Sequence, residues 1–556
     1  MSTQLTTNIL LAQQILAVCK AKQLKHIIIS PGSRNAPLTI GFSNDPFFKC
    51  YSIVDERCAA FFALGIAQQT NEAVAVVCTS GSALLNYYPA IAEAFYSDIP
   101  LVVLSADRPK EHIDIGDGQT IRQEHVFTNH IIYEANLSND PNYTKDLQKE
   151  NTSLIAEAIE QSNNNKGPVH VNIPLYEPLY GTVSKIVEPS LLPIQPNKKE
   201  SFKIEDSFIK KWNTSSRKLI LVGVYNPNSI DQEILDTLLL DSSVLLFTET
   251  TSNIHHSKVI PSIDQLISKL TEKEFKELQP DLLVTFGGLV VSKKIKAFLR
   301  NYAPNNHWHI DIKKAYDTYG CLSEHFKTSA KAFFKELFLS KPLVIKSNYQ
   351  DKWLGVHQQK LVSHDNYLAK APYSDLKVFE AIINKLPQKL HLQLSNSSTI
   401  RYTQLFKLSK QVEVFCNRGT SGIDGSTSTA IGAATIQDKP TVLITGDLSF
   451  LYDSNGLWNN YIPNNFKIIV INNSGGGIFR ILPGDKEAEY FSEFLETTHN
   501  YKAKQLADMY GFYYQLANES NLTDSLNVFF EAHTKQILEI QTPRSVNDRV
   551  LLNYFS

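Results

Sequence analysis

Short apolar runs alternate with helix-length segments along most of the chain. Within the first 185 residues these runs are HIIIS, AVAVVCTS, IPLVVLSAD and GPVHVNIP. Strands that alternate with helices are typical of βαβ units, which build parallel sheets covered by helices. The pattern therefore predicts an α/β fold with a doubly wound, mainly parallel sheet.

The same alternation continues in two further blocks of similar size. The second block contains KLILVGV, SVLLFTET, DLLVTFGG and HWHIDI, and the third contains LHLQLSNS, QVEVFCNRG, TVLITGD, FKIIVINN and QILEIQT. A chain of 556 residues is long enough for several domains. We therefore predict three doubly wound domains over residues 1–185, 200–345 and 370–556, with a proline-rich linker at 189–201.

Composition and charge narrow the classes of partner. Apolar residues make up 43% of the chain and charged residues 20%, which is ordinary for a soluble globular protein. The formal net charge of -2 provides no global field that would attract nucleic acid. No stretch reaches the roughly 18 apolar residues of a membrane span. We expect no nucleic-acid partner and no membrane span, so any affinity for anions must come from local clusters of Arg and Lys.

The N-terminus and the cysteines both favour a cytoplasmic protein. The first 22 residues lack a basic n-region, and their pattern predicts an amphipathic helix with Ile9, Leu10, Leu16 and Ala17 facing inward, not a signal peptide. The six cysteines are scattered without a C-x-x-C pair. This spacing favours reduced, mostly buried thiols over a disulfide framework or a zinc site.

Candidate chemistry lies directly after the apolar runs, where open parallel sheets bind their ligands. Asp447 follows the run TVLITG, and Asn473 follows KIIVIN 26 positions further along, just before Gly475. One carboxylate, one amide oxygen, a backbone carbonyl near Gly475 and a diphosphate would complete an octahedral site for Mg²⁺ or Mn²⁺. We therefore predict Asp447, Asn473 and Gly475 as metal ligands. Neither a Walker A loop nor a G-x-G-x-x-G fingerprint is present.

This pair of strand ends resembles the diphosphate-binding motif of thiamine diphosphate enzymes, Gly-Asp-Gly followed some 25 to 30 residues later by Asn-Asn. Leu448 stands where the family usually has its second glycine. A literal Gly-Asp-Gly within IGDGQT (115–120) is rejected because it ends no apolar strand. The resemblance implies thiamine diphosphate as cofactor. It implies these cofactor-binding residues: Ser421, Gly422, Ile423, Asp424, Gly425, Asp447, Leu448, Ser449, Asn473, Gly475, Gly476 and Ile478.

The resemblance also implies a catalytic glutamate that binds N1′ of the cofactor's aminopyrimidine ring. Glu56, in YSIVDERCAAFFALGIA, occupies the matching place. The next segment, 59–67, is apolar nearly all round and predicts a fully buried helix. We expect that helix to lie in a subunit interface, giving a homodimer or homotetramer in which Glu56 reaches the partner's cofactor. A surface carboxylate paired with Arg57 is the simpler alternative, as is a core role for Ile423.

Longer strings narrow the choice of family. SPGSRNAPL, VDERCAAFFALG, SADRP, GQTIRQ, NRGTSGIDGS and GDLSFLYD resemble the 2-succinyl-5-enolpyruvyl-6-hydroxy-3-cyclohexene-1-carboxylate (SEPHCHC) synthases of menaquinone biosynthesis. The resemblance implies decarboxylation of 2-oxoglutarate and conjugate addition of the succinyl unit to isochorismate. It implies these substrate-binding residues: Ser33, Arg34, Arg108, Gln119, Lys293, Lys294, Asn396, Ser397, Arg401, Arg418, Ile478, Phe479 and Leu482. Lys294 replaces a frequent Arg and cannot form the same planar fork.

Two other functions stay open at this point. One is a different thiamine diphosphate-dependent decarboxylase or carboligase that acts on pyruvate. Such an enzyme would not need four arginines and a lysine pair near its substrate. The other is a non-catalytic nucleotide-binding α/β protein that has kept the fold.

Overall fold

The computed structural model describes residues 5–140, 143–184 and 202–556. These residues form three six-stranded parallel sheets with helices packed around them, and the predicted α/β fold class is confirmed. A two-stranded antiparallel ribbon joins β1 (Thr6–Thr7) to β8 (Thr182–Val183). The linker predicted at 189–201 lies outside the described residues.

The N-terminal sheet has the strand order β3-β2-β4-β5-β7-β6. Its strands are β2 (His26–Ile29), β3 (Lys49–Ser52), β4 (Val74–Cys78), β5 (Leu101–Asp107), β6 (Tyr133–Asn136) and β7 (Val169–Pro174). Its helices are α1 (Leu10–Ala21), α2 (Ala36–Asn44), α3 (Glu56–Thr70), α4 (Ser82–Asn86), α5 (Tyr88–Ser97) and α6 (Lys145–Asn165). The chain order reverses between β2 and β4, which places a switch point at their carboxyl ends.

The central sheet has a different order, β11-β10-β9-β12-β13-β14. Its strands are β9 (Lys218–Val222), β10 (Val244–Phe247), β11 (Val259–Ile260), β12 (Leu282–Phe286), β13 (Asn306–Ile310) and β14 (Leu322–Phe326). Its helices are α7 (Asp206–Thr214), α8 (Gln232–Leu238), α9 (Ile263–Ile267), α10 (Glu272–Leu278), α11 (Lys293–Asn301) and α12 (Ala330–Leu339). Helix α13 (Tyr349–Leu368) then leads to the last sheet.

The C-terminal sheet repeats the order of the N-terminal one, as β16-β15-β17-β18-β20-β19. Its strands are β15 (Leu390–Leu394), β16 (Val412–Cys416), β17 (Thr441–Gly446), β18 (Phe466–Asn472), β19 (Tyr513–Ala517) and β20 (Gln536–Gln541). Its helices are α14 (Asp375–Lys385), α15 (Ser398–Thr403), α16 (Ser426–Ala434), α17 (Asp447–Tyr452), α18 (Ile478–Ile481), α19 (Lys504–Tyr510), α20 (Leu522–Glu531) and α21 (Asn547–Phe555). Its switch point lies between β15 and β17.

The predicted inner face of helix α1 is wrong in part. Leu10 is 44% exposed, whereas Leu11, Ile15 and Val18 are fully buried. Even Gln13 is buried, and its side-chain amide donates a hydrogen bond to the Thr7 carbonyl at 2.7 Å. The reason is that α1 packs against both α2 and α6, so the covered face is wider than one apolar stripe.

Helix α3 is buried as predicted, but by an element of the same chain. Every residue from Cys58 to Ala67 is buried, and the helix packs along α16 of the C-terminal sheet. The two backbones come close enough that a Cβ at Gly65 would clash with the Thr429 carbonyl, well inside 3.0 Å. The burial of α3 therefore does not by itself require a second subunit. The apolar surface of this helix is no longer a reason to expect an oligomer.

We expect Gly65→Ala to destabilise the protein by about 1–3 kcal/mol, because the added methyl group must push α3 away from α16. Gly355→Ala is the matched control, since it also lies inside a helix but has nothing within 4 Å of the new methyl group. That control should be neutral or stabilising by about 0.5–1 kcal/mol. Denaturant unfolding of both variants measures the difference. Equal stability of the two variants would contradict the close crossing.

Candidate active site

The carboxyl ends of β15, β17 and β18 lie side by side and carry the predicted cofactor residues. Asp447 is the first residue of α17, directly after β17, and Asn473 directly follows β18. Because β17 and β18 are hydrogen-bonded neighbours in parallel register, their ends share one edge. The two strand ends therefore meet, as the sequence pattern predicts.

The Asp447 carboxylate is buried and held from two sides. Its Oδ1 accepts from the Leu448 backbone N–H at 2.7 Å, and its Oδ2 accepts from the Gly475 N–H at 2.9 Å. His499 Nε2 lies 3.2 Å from the same Oδ2, and its side chain is only 6% exposed. No sequence signal pointed to His499, which comes from the loop that returns to the strand ends after α18.

Asn473 presents a buried oxygen without a partner. Its Nδ2 donates to Asp375 Oδ2 at 3.0 Å, whereas its Oδ1 is inaccessible and has no hydrogen bond. A buried acceptor without a donor is costly unless something absent from the protein chain satisfies it. A divalent cation bound between Asp447 and Asn473 would do so.

Gly475 allows the backbone to approach that position. Its φ of +149° favours glycine, and a Cβ there would lie 2.7 Å from the Glu496 carbonyl oxygen. No group of three or more His, Cys, Asp and Glu side chains suited to a metal occurs among the described residues. A cation here would therefore depend on amide, backbone and diphosphate oxygens as well as on one carboxylate, which suits a hard cation. Asp447, Asn473 and Gly475 therefore fit a divalent cation bound to the diphosphate of the predicted cofactor.

The loop before α16 supplies the remaining predicted cofactor residues. Ile423 is 37% exposed, so it is not the core residue of the simpler interpretation. Its carbonyl accepts from the Ser449 hydroxyl at 2.7 Å, which ties the loop to α17. Ser421 nearby has a φ of +60°, and the neighbouring site loops contain Ser397 at +66° and Ser474 at +64°. Non-glycine residues held in this region are typical of binding sites.

Glu56 begins helix α3, and Asp55 caps that helix by accepting from the Cys58 N–H at 3.1 Å. Among the described residues, none donates a hydrogen bond to the half-buried Glu56 carboxylate. It lies near Tyr87, where its charge adds to the burial that raises the pKa of the tyrosine. The alternative, an ion pair between Glu56 and Arg57, is not formed. Arg57 instead donates to the Tyr452 carbonyl at 2.8 Å.

A cluster of cations lies where the central sheet meets the C-terminal sheet. Within the described chain, Arg401 has no hydrogen-bond partner, and Arg418 has a buried Nε without one. Burial and the charge of Arg418 lower the pKa of the Arg401 guanidinium, and burial lowers the pKa of Lys294 and Lys296. Lys294 also lies 3.9 Å above the ring of Phe555. Lys296 was not predicted as a substrate-binding residue, although it lies only two positions after Lys294.

Asn396 links this cluster to the loop at 421–425 before α16, which we call the cofactor loop. Its Oδ1 accepts from Arg418, and its Nδ2 donates to the carbonyls of Asn417 and Gly422, both at 2.7 Å. With both ends of its amide engaged, Asn396 fixes the loops relative to each other. Its contact with substrate stays a prediction.

A second pair of cations lies at the N-terminal sheet. Arg34 is buried and donates to the Leu175 carbonyl at 2.9 Å and to Glu177 at 3.0 Å. Arg108 Nη1 lies 3.7 Å from the same Glu177 carboxylate. Sequence reasoning missed Glu177, which reduces the free positive charge of this pair. No hydrogen bond or ion pair in the described chain joins Glu56 or this pair to Asp447.

The remaining predicted substrate residues lie at accessible positions. Ser33, Gln119, Lys293 and Leu482 are exposed, and Ile478 and Phe479 are half-buried on the short helix α18. Gln119 has a φ of +55°, and its carbonyl accepts from the Ser80 hydroxyl at 2.8 Å. All of these substrate contacts stay predictions.

Comparison with known proteins agrees with this geometry. The N-terminal TPP binding domain of thiamine pyrophosphate enzymes matches residues 9–134, and the C-terminal TPP binding domain matches residues 397–540. SEPHCHC synthase of Flavobacterium psychrophilum is 56% identical over 98% of each chain. The synthase of Flavobacterium johnsoniae is 55% identical over 99% of each chain, and that of Porphyromonas gingivalis is 37% identical over 98% of this chain and 96% of its own.

This chain belongs to the SEPHCHC synthase family. The family resemblance drawn from the motifs is therefore confirmed, and so is thiamine diphosphate as the cofactor. The first matched region contains Glu56, and the second contains Asp447. None of the described helices is both long and apolar enough to cross a membrane.

The central sheet of this family member borders a cavity of about 410 Å³. The cavity opens at the carboxyl ends of β9, β12 and β13, where Gly223 meets Gly288. Lys296 and Arg418 line it, whereas Asp447 does not. The cation cluster therefore borders both this cavity and, through Asn396, the cofactor loop.

Glu249 is a buried acid close to the cation cluster. Glu249 accepts from the backbone N–H groups of Val291 and Ser292 at 2.6 and 2.7 Å, at the start of α11. Burial raises the pKa of Glu249 from its ordinary value of 4.5 to about 7. The folded state therefore binds this proton more tightly than the unfolded chain, and its contribution to stability is lost as pH rises from 4.5 to about 7.

We expect the stability of Glu249→Gln relative to the wild type to increase across that pH range, by on the order of 1 kcal/mol or more. The variant cannot ionise, so it escapes the cost of burying a charge at high pH. Thermal unfolding of both proteins at pH 5 and pH 8 measures the change, and the comparison cancels titration elsewhere. A stability difference that stays constant with pH would show that Glu249 titrates normally.

Proposed function

We propose that this chain is a thiamine diphosphate-dependent transferase that decarboxylates 2-oxoglutarate and adds the succinyl unit to isochorismate. The product is 2-succinyl-5-enolpyruvyl-6-hydroxy-3-cyclohexene-1-carboxylate, in menaquinone biosynthesis. Its relatives carry the name of this synthase over nearly their whole length. The observation that carries the proposal is the group of partly buried cations with donor groups that no protein acceptor in the described chain satisfies, linked by Asn396 to the cofactor loop.

The cofactor would be held by its diphosphate through Mg²⁺ or Mn²⁺. The Asp447 carboxylate, Asn473 Oδ1 and the Gly475 carbonyl would be the protein ligands of the cation. Ile423, exposed beside this position, would contact the cofactor's apolar part. The bound cofactor supplies an electron sink for the negative charge left when a 2-oxo acid loses CO₂.

The cations would bind and orient the substrates. 2-Oxoglutarate and isochorismate each carry two carboxylates, and a guanidinium can bind a carboxylate through two parallel hydrogen bonds. Arg401 and Arg418 have free donor groups for this purpose. Lys294 and Lys296 would add charge without the same directional control. An enzyme that acts on pyruvate would have fewer carboxylates for this cluster to bind.

Glu56 would hydrogen-bond N1′ of the aminopyrimidine ring. Its carboxylate is half-buried and has no donor in the described chain, which supports an external partner. As the family resemblance implies, we propose that the active unit contains at least two chains. Glu56 of one chain would then serve the diphosphate site of the other. We also propose a cytoplasmic location, since all six cysteines are free thiols.

The substrate assignment is tested by supplying 2-oxoglutarate or pyruvate with thiamine diphosphate and Mg²⁺, with and without isochorismate. We expect CO₂ release from 2-oxoglutarate and formation of the adduct only when isochorismate is present. Turnover of pyruvate in place of 2-oxoglutarate would indicate a different carboligase. Cofactor binding without turnover of either acid would indicate the non-catalytic alternative.

We expect Glu56→Gln to bind thiamine diphosphate nearly as well as the wild type but to lose most activity, because the cation site is untouched. Asp447→Ala should lose cofactor and Mg²⁺ binding together. Mixing the two inactive variants after subunit exchange then tests the shared site. In a random mixture, hybrid dimers should restore about one quarter of the wild-type activity, because each has one intact site. No recovery after verified exchange would place both groups in one chain.

A further inference from the structure

Asp375 is a buried residue behind the proposed cation site. It is the first residue of α14, its side chain is buried, and its backbone N–H donates to Asn547 Oδ1 at 2.8 Å. Its two carboxylate oxygens have different partners. The Thr542 hydroxyl donates to Oδ1 at 2.6 Å, and Asn473 Nδ2 donates to Oδ2 at 3.0 Å.

These contacts determine which end of the Asn473 amide faces the proposed cation. An ionised carboxylate only accepts hydrogen bonds, so the atom of Asn473 that faces Asp375 must be the NH₂ group. The amide oxygen then points the other way, and it is the buried Oδ1 without a partner. If the amide were reversed, two acceptor oxygens would face each other at Asp375, and an NH₂ group would face the cation.

We propose that Asp375 is a positioning residue that presents the Asn473 amide oxygen to the divalent cation. This inference rests on the cation site of the proposed function. Metal-binding residues are commonly oriented by hydrogen bonds from a further layer of side chains, and loss of such a partner lowers metal affinity about 10–100-fold. The role differs from that of a residue that only starts α14, because it depends on the chemical group at one carboxylate oxygen.

Asp375→Asn distinguishes the two roles. The variant has nearly the same shape, and its Oδ1 can still accept from the Thr542 hydroxyl, which directs the new NH₂ group at Asn473. Two NH₂ groups cannot hydrogen-bond to each other, so in this orientation the Asn473 amide must turn over and present its nitrogen to the cation. If the new amide itself turns over and the Thr542 hydroxyl accepts, its oxygen replaces Asp375 Oδ2 and Asn473 keeps its orientation. Asp375→Ala removes the same charge but contains no group that forces this reversal.

The paired variant Asp375→Asn with Asn473→Asp should restore the site. The NH₂ group of the new asparagine then donates to one oxygen of the new aspartate, and its other oxygen faces the cation. The hydrogen bond is kept with its direction reversed, and the total charge is the same as in the wild type. Asn473→Asp alone is the control, because a carboxylate at position 473 binds the cation more strongly than an amide whatever the role of Asp375.

The experiment measures Mn²⁺ binding to the full-length protein by electron paramagnetic resonance, with and without thiamine diphosphate, and cofactor binding by fluorescence quenching. We expect Asp375→Asn to weaken Mn²⁺ binding at least tenfold. Asp375→Ala should lose less affinity than Asp375→Asn, and the paired variant should return to within about threefold of the wild type. Circular dichroism checks that each variant is folded, and Asp375→Asn against Asp375→Ala is decisive even if the paired variant is unstable.

Wild-type Mn²⁺ affinity in both Asp375→Asn and Asp375→Ala, or equal losses in the two variants, would overturn the inference. So would a folded paired variant that binds no better than Asp375→Asn. Asp447→Ala separates this inference from the proposed function. Full Mn²⁺ affinity in that variant would refute the cation site and the inference together, whereas loss there beside unchanged affinity in both Asp375 variants would refute only the inference.

Discussion

The close crossing of α3 and α16 is the contact on which the relative position of the two outer sheets depends. Gly65 brings the two helix backbones together, and residues from both helices belong to one apolar core. Glu56 is the first residue of α3, and the Ile423 loop leads directly into α16. The same packing that joins the N-terminal and C-terminal sheets therefore sets the directions from which two segments of the candidate site emerge.

The candidate site concentrates polar groups that the protein itself leaves unsatisfied. Asn473 Oδ1 and Arg418 Nε are buried without partners, and Arg401 has no hydrogen bond in the described chain. Each such group reduces stability, since its desolvation is not offset by a hydrogen bond. Glu249 and Asp264 lie near the cations and, when ionised, offset part of their repulsion. Bound ligands would supply the hydrogen bonds and charges that these groups lack in the protein alone.

Much of this arrangement could be predicted from the sequence because it follows from strand order. The ends of neighbouring parallel strands share an edge, so Asp447 and Asn473 had to lie close together once both runs were assigned to one sheet. The residues missed come from segments with no local signal. Asp375 lies 98 positions from Asn473, and His499 comes from a loop whose path no periodicity describes. The burial of α3 was predicted from its apolar surface, but which element covers it depends on long-range packing that a helical pattern does not specify.

The strand orders bear on which parts of the chain can vary in sequence. The N-terminal and C-terminal sheets share the order 2-1-3-4-6-5, numbering each sheet's strands along the chain, whereas the central sheet has the order 3-2-1-4-5-6. The two outer sheets therefore share one topology, and the central sheet has another. Because the central sheet contributes no strand to either outer sheet, substitutions in its loops can accumulate without disturbing the strand pairing that positions Asp447 and Asn473.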